Sequence, residues 1–295
     1  MVFDLSQFSV QTWLENCPQG YLRDTEFGHR RGEKEPDRVL QDPHLLASAI
    51  STTVQLVVAE RCALAASSGL INLTPDEQSK CFLATQTLDE ARHVEIFSRR
   101  LGDLGVSRSE LNATIREYAN PNLLKFAEVL LEKVHKGDLA AAIVGQNIIL
   151  EGLAYTVFGM LRAMARRTNP KFAHTLQGTI ADERRHVSFG ENRIRAILKA
   201  QPDKKPVIQK LQREMSYFML ASFGDLFGGA AAEQSLGTLG GDEDPSELSA
   251  SWQGANLAAL NATELRELLK GTLVSELESR LGRLGLEYQS SAAGA

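Results

Sequence analysis

From Pro43 onward, apolar residues recur at helical spacing, and almost nothing along the chain alternates with a period of two. The pattern predicts an all-α protein. The run 43–71 is long, apolar and free of internal proline. A second helix starts at "TPDEQ" (74–78), where Thr74 is read as the cap and Pro75 as the first turn, and it runs to the glycines at 102 and 105. Residues 107–136 read as two shorter connecting helices around "NPN". A third long helix runs from near Asp138 to "RRTNP" at 166–170, and a fourth from about Pro170 to Ala200. A further helical run extends to about Phe227, and a short amphipathic helix over 262–283 closes the chain.

Four helices of about 30 residues each, at ~1.5 Å rise per residue, are about 45 Å long. Short turns within each pair and a long crossover over 105–137 predict a four-helix bundle with additional helices. The chain divides on this reading into a lead-in (1–41), the bundle (42–228), a small-residue, Gly-rich, acidic linker or loop (229–252) and a C-terminal helical segment (253–295). The last residues, "SSAAGA", read as a frayed tail.

Residues 139–161 are long enough to span a bilayer. They also hold Gln146, Asn147 and Glu151, and no comparable partner span is read, so the expectation is a buried helix and no membrane. Composition supports this: 43% hydrophobic and 23% charged residues describe an ordinary globular chain. The formal net charge of −5 gives no reason to expect nucleic acid as a partner. Cys17, Cys62 and Cys81 are an odd number without CxxC spacing, which fits free thiols in a reducing compartment. The N-terminus has no basic segment before an apolar run, so a cytoplasmic location is expected.

The charged residues inside the apolar helices carry the chemistry. Glu60 and Arg61 are the only charges between His44 and Leu73, and Glu151 and Arg162 the only ones between Leu139 and Ala165. A carboxylate buried in such a helix has to be paired, protonated or bound to a metal. Two near copies of one motif accompany them, "LDEARHVEIF" at 88–97 and "ADERRHVSFG" at 181–190. Three-residue spacing puts Glu90 with His93, and Glu183 with His186, on one helix face. A single Glu-x-x-His is weak and often only a solvent-facing pair. The spacing of the whole set is more specific: Glu60 to Glu90 is 30 residues and Glu151 to Glu183 is 32. Antiparallel helices joined by a short turn bring residues about 30 apart to one level. Each half then contributes two carboxylates and one imidazole to the bundle centre, a ligand set for two metal ions. Oxygen plus imidazole donors suit iron or manganese. Asp89 is placed to meet His186 and Asp182 to meet His93 across the pseudo-twofold, with Arg92 and Arg185 pairing those aspartates.

This pattern, Glu60, Glu90-x-x-His93, Glu151, Glu183-x-x-His186, resembles the ferritin-like di-iron carboxylate superfamily, especially its oxygen-activating members over residues 43–200. Those members include monooxygenase hydroxylases, arylamine N-oxygenases and the ribonucleotide reductase small subunit. The resemblance implies two Fe ions, or a mixed Mn/Fe pair, and O2 as co-substrate. It also implies a homodimer; an apolar inner wall with a few polar groups is expected to take a small organic substrate, and with no CxxC or four-cysteine set for an iron–sulfur centre the electrons are expected from a separate donor or from the substrate. Two positions depart from relatives within the superfamily. Phe97 stands where the reductase subunit usually carries a radical tyrosine, and Thr179 where many N-oxygenases carry an extra histidine.

The expected activity is therefore oxidation of C–H or N–H bonds. An iron-binding ferroxidase and a reductase-like protein remain as alternatives. Tyr155, one turn after Glu151, is expected to point inward and serve the oxygen chemistry, or to be an ordinary core tyrosine. The expected inner wall comprises Leu56, Ala63, Leu64, Gln86, Thr87, Phe97, Asn147, Phe189 and Gly190.

Overall fold

A computed structural model of the chain describes residues 34–226 and 251–288. The lead-in up to residue 33, nearly all of the Gly-rich stretch and the "SSAAGA" tail lie outside the described residues. The fold is all-α. A short helix α1 (Asp37–Gln41) precedes α2 (Pro43–Leu73) and α3 (Glu77–Asp103). The crossover follows as α4 (Leu111–Tyr118) and α5 (Pro121–His135). The third long helix begins as α6 (Leu139–Ile143), widens into a π-helical segment (Val144–Leu150) and continues as α7 (Glu151–Thr168). Then come α8 (Pro170–Ala200), α9 (Lys205–Leu226) and, beyond a two-stranded antiparallel ribbon of Ser251–Trp252 with Ala255–Asn256, α10 (Ala262–Arg283).

One local device starts three of these helices. An Asn or Asp side chain caps, and a proline fills the first turn, where its missing N–H costs nothing. Asp42 accepts from His44 N at 2.8 Å, Asn120 from Asn122 N at 2.8 Å, and Asn169 from Phe172 N at 3.1 Å. At α3 the cap is Asp76, which accepts from Ser79 N at 2.8 Å, and not Thr74. Thr74 instead closes α2, its hydroxyl donating to Leu70 O at 2.9 Å. Helix α10 opens with a reciprocal pair between Asn261 and Glu264.

Helices α2 and α3 form one tightly packed pair, and α7 and α8 the other; α3 meets α8 between the pairs. Helix α5 lies on α2, α9 covers α5 and the π segment, and α10 packs on α7. Both α2 and Leu139–Arg166 are apolar and long enough to cross a membrane, each with mean hydropathy 1.4, so α2 is the comparable second run that the sequence reading did not recognise. Most of each apolar stretch is buried inside the bundle.

The bundle end has a tie that sequence reading does not anticipate. Glu35, just before α1, is buried and accepts from Arg100 Nε at 3.0 Å and from Asn169 Nδ2 at 2.6 Å. Arg100 also donates to Thr53 Oγ1 at 2.5 Å and lies 3.6 Å above the Phe172 ring. One ion pair thus joins α2, α3 and the α7–α8 turn to the segment ahead of α1. A buried charge needs such complete pairing.

Candidate metal centre

The two Glu-x-x-His motifs lie on facing stretches of α3 and α8, and Glu60 and Glu151 lie on the paired helices α2 and α7. All six side chains are buried, His93, His186 and Glu90 completely. His93 turns Nδ1 toward Glu60 Oε2 (3.4 Å), Glu90 Oε2 (3.5 Å) and Glu183 Oε1 (3.6 Å). His186 turns Nδ1 toward Glu90 Oε1 (3.3 Å), Glu151 Oε1 (3.6 Å) and Glu183 Oε2 (3.6 Å). Glu90 and Glu183 therefore each offer one oxygen to either imidazole, while Glu60 belongs to one side and Glu151 to the other. Ligand atoms of Glu60, Glu90, His93 and Glu183 lie within 4.8 Å of one another, as do those of Glu90, Glu151 and His186.

The far side of each imidazole is held by the opposite motif. His93 Nε2 is 3.3 Å from Asp182 Oδ2, and His186 Nε2 is 3.2 Å from Asp89 Oδ2. Arg92 donates to Asp182 and Arg185 to Asp89. The four residues expected to brace the site are thus brought together across the pseudo-twofold. The halves differ in exposure: the Arg92 side chain is 3% exposed and that of Arg185 45%. Phe82 fills the Arg185 side, stacked on Phe189 at 4.2 Å and edge-on to His186 at 6.3 Å.

The electrostatics of the bare cluster are strained. Burial, partly opposed by His93, pushes the Glu60 carboxyl up to about 7. Burial and the neighbouring Glu90 charge push Glu183 up to about 8. Burial also works against ionised Glu90, yet the two imidazoles outweigh it and hold that carboxyl well below its ordinary range. Burial likewise disfavours charge on the imidazoles, but the facing carboxylates hold both well above the usual histidine range. Without a cation at the centre, these groups share protons.

Hydrogen bonds account for the outer edge of the cluster and leave its centre unsatisfied. Glu90 Oε1 and Oε2, Glu183 Oε2, His93 Nδ1 and His186 Nδ1 are buried and have no hydrogen-bond partner. Orphaned buried polar atoms are rare and demand a reason. Here all five belong to the two facing Glu-x-x-His motifs on α3 and α8, Glu60 and Glu151 close the same centre from α2 and α7, and four carboxylates with two imidazoles balance two cations. The donor set fits a metal pair.

Glu151 has a further clamp. Its Oε1 accepts from Gln86 Nε2 (2.6 Å) and Gln146 Nε2 (2.8 Å), and its Oε2 from Asn147 Nδ2 (2.9 Å). The π segment makes this possible: its wider turn carries Gln146, five residues before Glu151, back under the carboxylate. Asn147 also donates to His186 O at 3.2 Å. It fits beneath α8 because residue 190 is glycine; a Cβ there would lie 2.3 Å from Asn147 Cβ.

Tyr155 engages Arg184 and Arg280 in the structure. Its hydroxyl accepts from Arg184 Nη2 at 3.4 Å, and Arg280 of α10 lies 5.6 Å from its ring. Four residues along an α-helix rotate about 40°, which carries Tyr155 from the Glu151 direction into the α7–α8–α10 wall.

Beside Glu60, Glu151 and Glu183 is a cavity of about 40 Å³. Leu56 and Ala63 line it as expected, together with Ala59, Leu150, Ala154, Val157 and Phe158. The other residues expected on this wall do not line the cavity, and five of them are engaged elsewhere. Gln86 and Asn147 hold Glu151, Phe189 stacks on Phe82, Phe97 packs 6.3 Å from Phe158, and Thr87 bonds to Leu83 O. Leu123 from the crossover and Met219, Ser222 and Phe223 from α9 close the cavity instead, none of them singled out by the sequence.

Fold and site together define a helical protein with a buried carboxylate–histidine cluster compatible with a ferritin-like di-iron centre. No family model and no curated protein matches the chain.

Proposed function

We propose that the protein is a dinuclear iron, or Mn/Fe, carboxylate enzyme that uses O2 to oxidise a small organic substrate. Glu60, Glu90, His93, Glu151, Glu183 and His186 are the ligands on this reading. The observation that carries it is the pair of imidazole Nδ1 atoms converging on shared Glu90 and Glu183, with five of the cluster's atoms left without partners. The chemistry that a redox-active metal pair would supply, when bound by these six residues, is electron transfer to O2. The chain's own residues do the rest. Asp89 and Asp182 fix both imidazoles with Nδ1 inward. Three amides anchor Glu151, while Glu60 faces His93 Nδ1 at 3.4 Å and the Glu90 carboxyl and has no such amide clamp among the described residues, which leaves it the carboxylate more free to move. The apolar lining excludes bulk water on the side of Glu60, Glu151 and Glu183.

Inserting one oxygen atom into a substrate consumes O2, two electrons and two protons and releases water. The electrons come from a separate donor or from the substrate. The test is anaerobic ferrous loading of the full chain, then O2 in the presence of apolar organic compounds. Oxidised product at about one O2 per centre supports the proposal. Oxidation of many irons per chain, with no organic product, would favour the ferroxidase alternative.

A further inference from the structure

The inner cavity is too small for the substrate of the reaction proposed above. A water needs about 10–15 Å³ of such space, so 40 Å³ admits about three waters or one O2. An organic substrate must extend out of it. The partly exposed lining residues mark where: Gln55, Ala59, Asn120 and Phe223 form the mouth, away from the imidazoles. Phe223 has a second role. It also lines a groove of about 340 Å³ between α9 and α10, whose apolar walls include Leu220, Leu269, Leu273 and Val274. One aromatic ring thus separates a small cavity at the carboxylates from a large apolar groove at the surface. The backbone beside the ring is uncrowded, since a Cβ on Gly224 would meet nothing within 4 Å. Arg266, Glu267 and Lys270 line the same groove, and the latter two are exposed.

We propose that Phe223 is the specificity-determining partition of one continuous binding site, and that the substrate is a chain-like amphipathic molecule. Its apolar end passes Phe223 to reach the carboxylates, its body lies between Leu220 and Leu273, and its polar end stays beside Arg266, Glu267 and Lys270. The proposal rests on the function above for its chemistry. It does not rest on it for its test, because metal-free chain suffices to measure binding.

The probes are linear 1-alkanols from butanol to decanol, titrated by calorimetry into the metal-free full-length chain. Affinity should climb about fourfold per methylene buried. Phe223→Trp should leave the short alkanols unchanged and abolish the climb once the groove is full. Val274→Glu, at a half-buried position of the groove wall, should weaken every alkanol by tenfold or more while leaving the melting temperature near that of the wild type. Phe223→Leu, a milder change, should preserve the climb and so report on folding. The proposal is overturned if no alkanol binds, if Phe223→Trp follows the wild-type curve, or if folded Val274→Glu binds as wild type. Failure to bind metal, measured separately, would instead overturn the metal reading and leave the alkanol result standing.

Discussion

His93 and Asp182 are 89 residues apart in the chain, on different helix pairs, and His93 Nε2 stands 3.3 Å from Asp182 Oδ2. His186 and Asp89 repeat the relationship at 3.2 Å. Each motif therefore orients the other's imidazole. Metal sites that lose such a partner typically bind metal 10–100-fold more weakly. Asp182→Asn and Asp89→Asn are each expected to cost about that much in iron affinity, measured by chelator competition. The loss should be smaller for Asp89, whose arginine partner Arg185 is 45% exposed against 3% for Arg92.

The bare cluster sets a pH dependence. Glu60 and Glu183 have folded-state values of about 7 and 8 against an ordinary 4.5. Between 4.5 and 8 the folded, metal-free chain thus holds protons that the unfolded chain has released. Their contribution to stability is fully present below 4.5 and is lost as pH rises through 7 and 8. The imidazoles, also raised, act in the same direction above 6.5. Metal-free protein should melt at a lower temperature at pH 8.5 than at pH 6. Metal binding should release protons and tighten as pH rises over the same range. A flat melting profile for the metal-free protein would remove the proton-sharing account.

Gly190 is a packing test of the same centre. An added methyl would lie 2.3 Å from Asn147 Cβ, and overpacking of this kind costs about 1–3 kcal/mol. Gly190→Ala should lower thermal stability and, by displacing Asn147 from Glu151, weaken metal retention. Gly102→Ala, where nothing lies within 4 Å of the new methyl, is the control and should do neither.

The buried tie at the bundle end should respond sharply. Removing one partner of a buried ion pair costs about 3–5 kcal/mol. Arg100→Ala leaves Glu35 buried without its cation and should show a loss of that size in chemical denaturation. The double change Glu35→Gln with Arg100→Met should recover a good part of it.

How much of this the sequence carries depends on the range of each relationship. Glu90 with His93 and Glu183 with His186 are readable because helical spacing alone puts them on one face. Glu60 and Glu151 follow because a lone carboxylate amid apolar residues has few explanations, and hairpin geometry sets their level. The π segment is not readable: its wider turn leaves no mark on the apolar pattern of 139–161, yet it decides where Gln146 and Asn147 point. Tyr155 shows the opposite failure, since the one-turn rule ignores the residual 40° rotation that sends it toward Arg184. The cavity wall is missed in part because it is built from Leu123 and Phe223, on helices outside the bundle, whose docking no local pattern specifies. Glu35, tied to residues 65 and 134 positions away, is invisible for the same reason.

The central claim is that six buried side chains hold two metal ions in one shared cage. Anaerobic titration of the metal-free full-length chain with ferrous iron, followed by metal analysis after desalting, tests it most directly. The expected result is two irons per chain, with both lost in Glu90→Ala because that carboxylate faces both imidazoles. Wild-type protein that retains no more than trace metal, or a Glu90→Ala variant that still holds two, would contradict it.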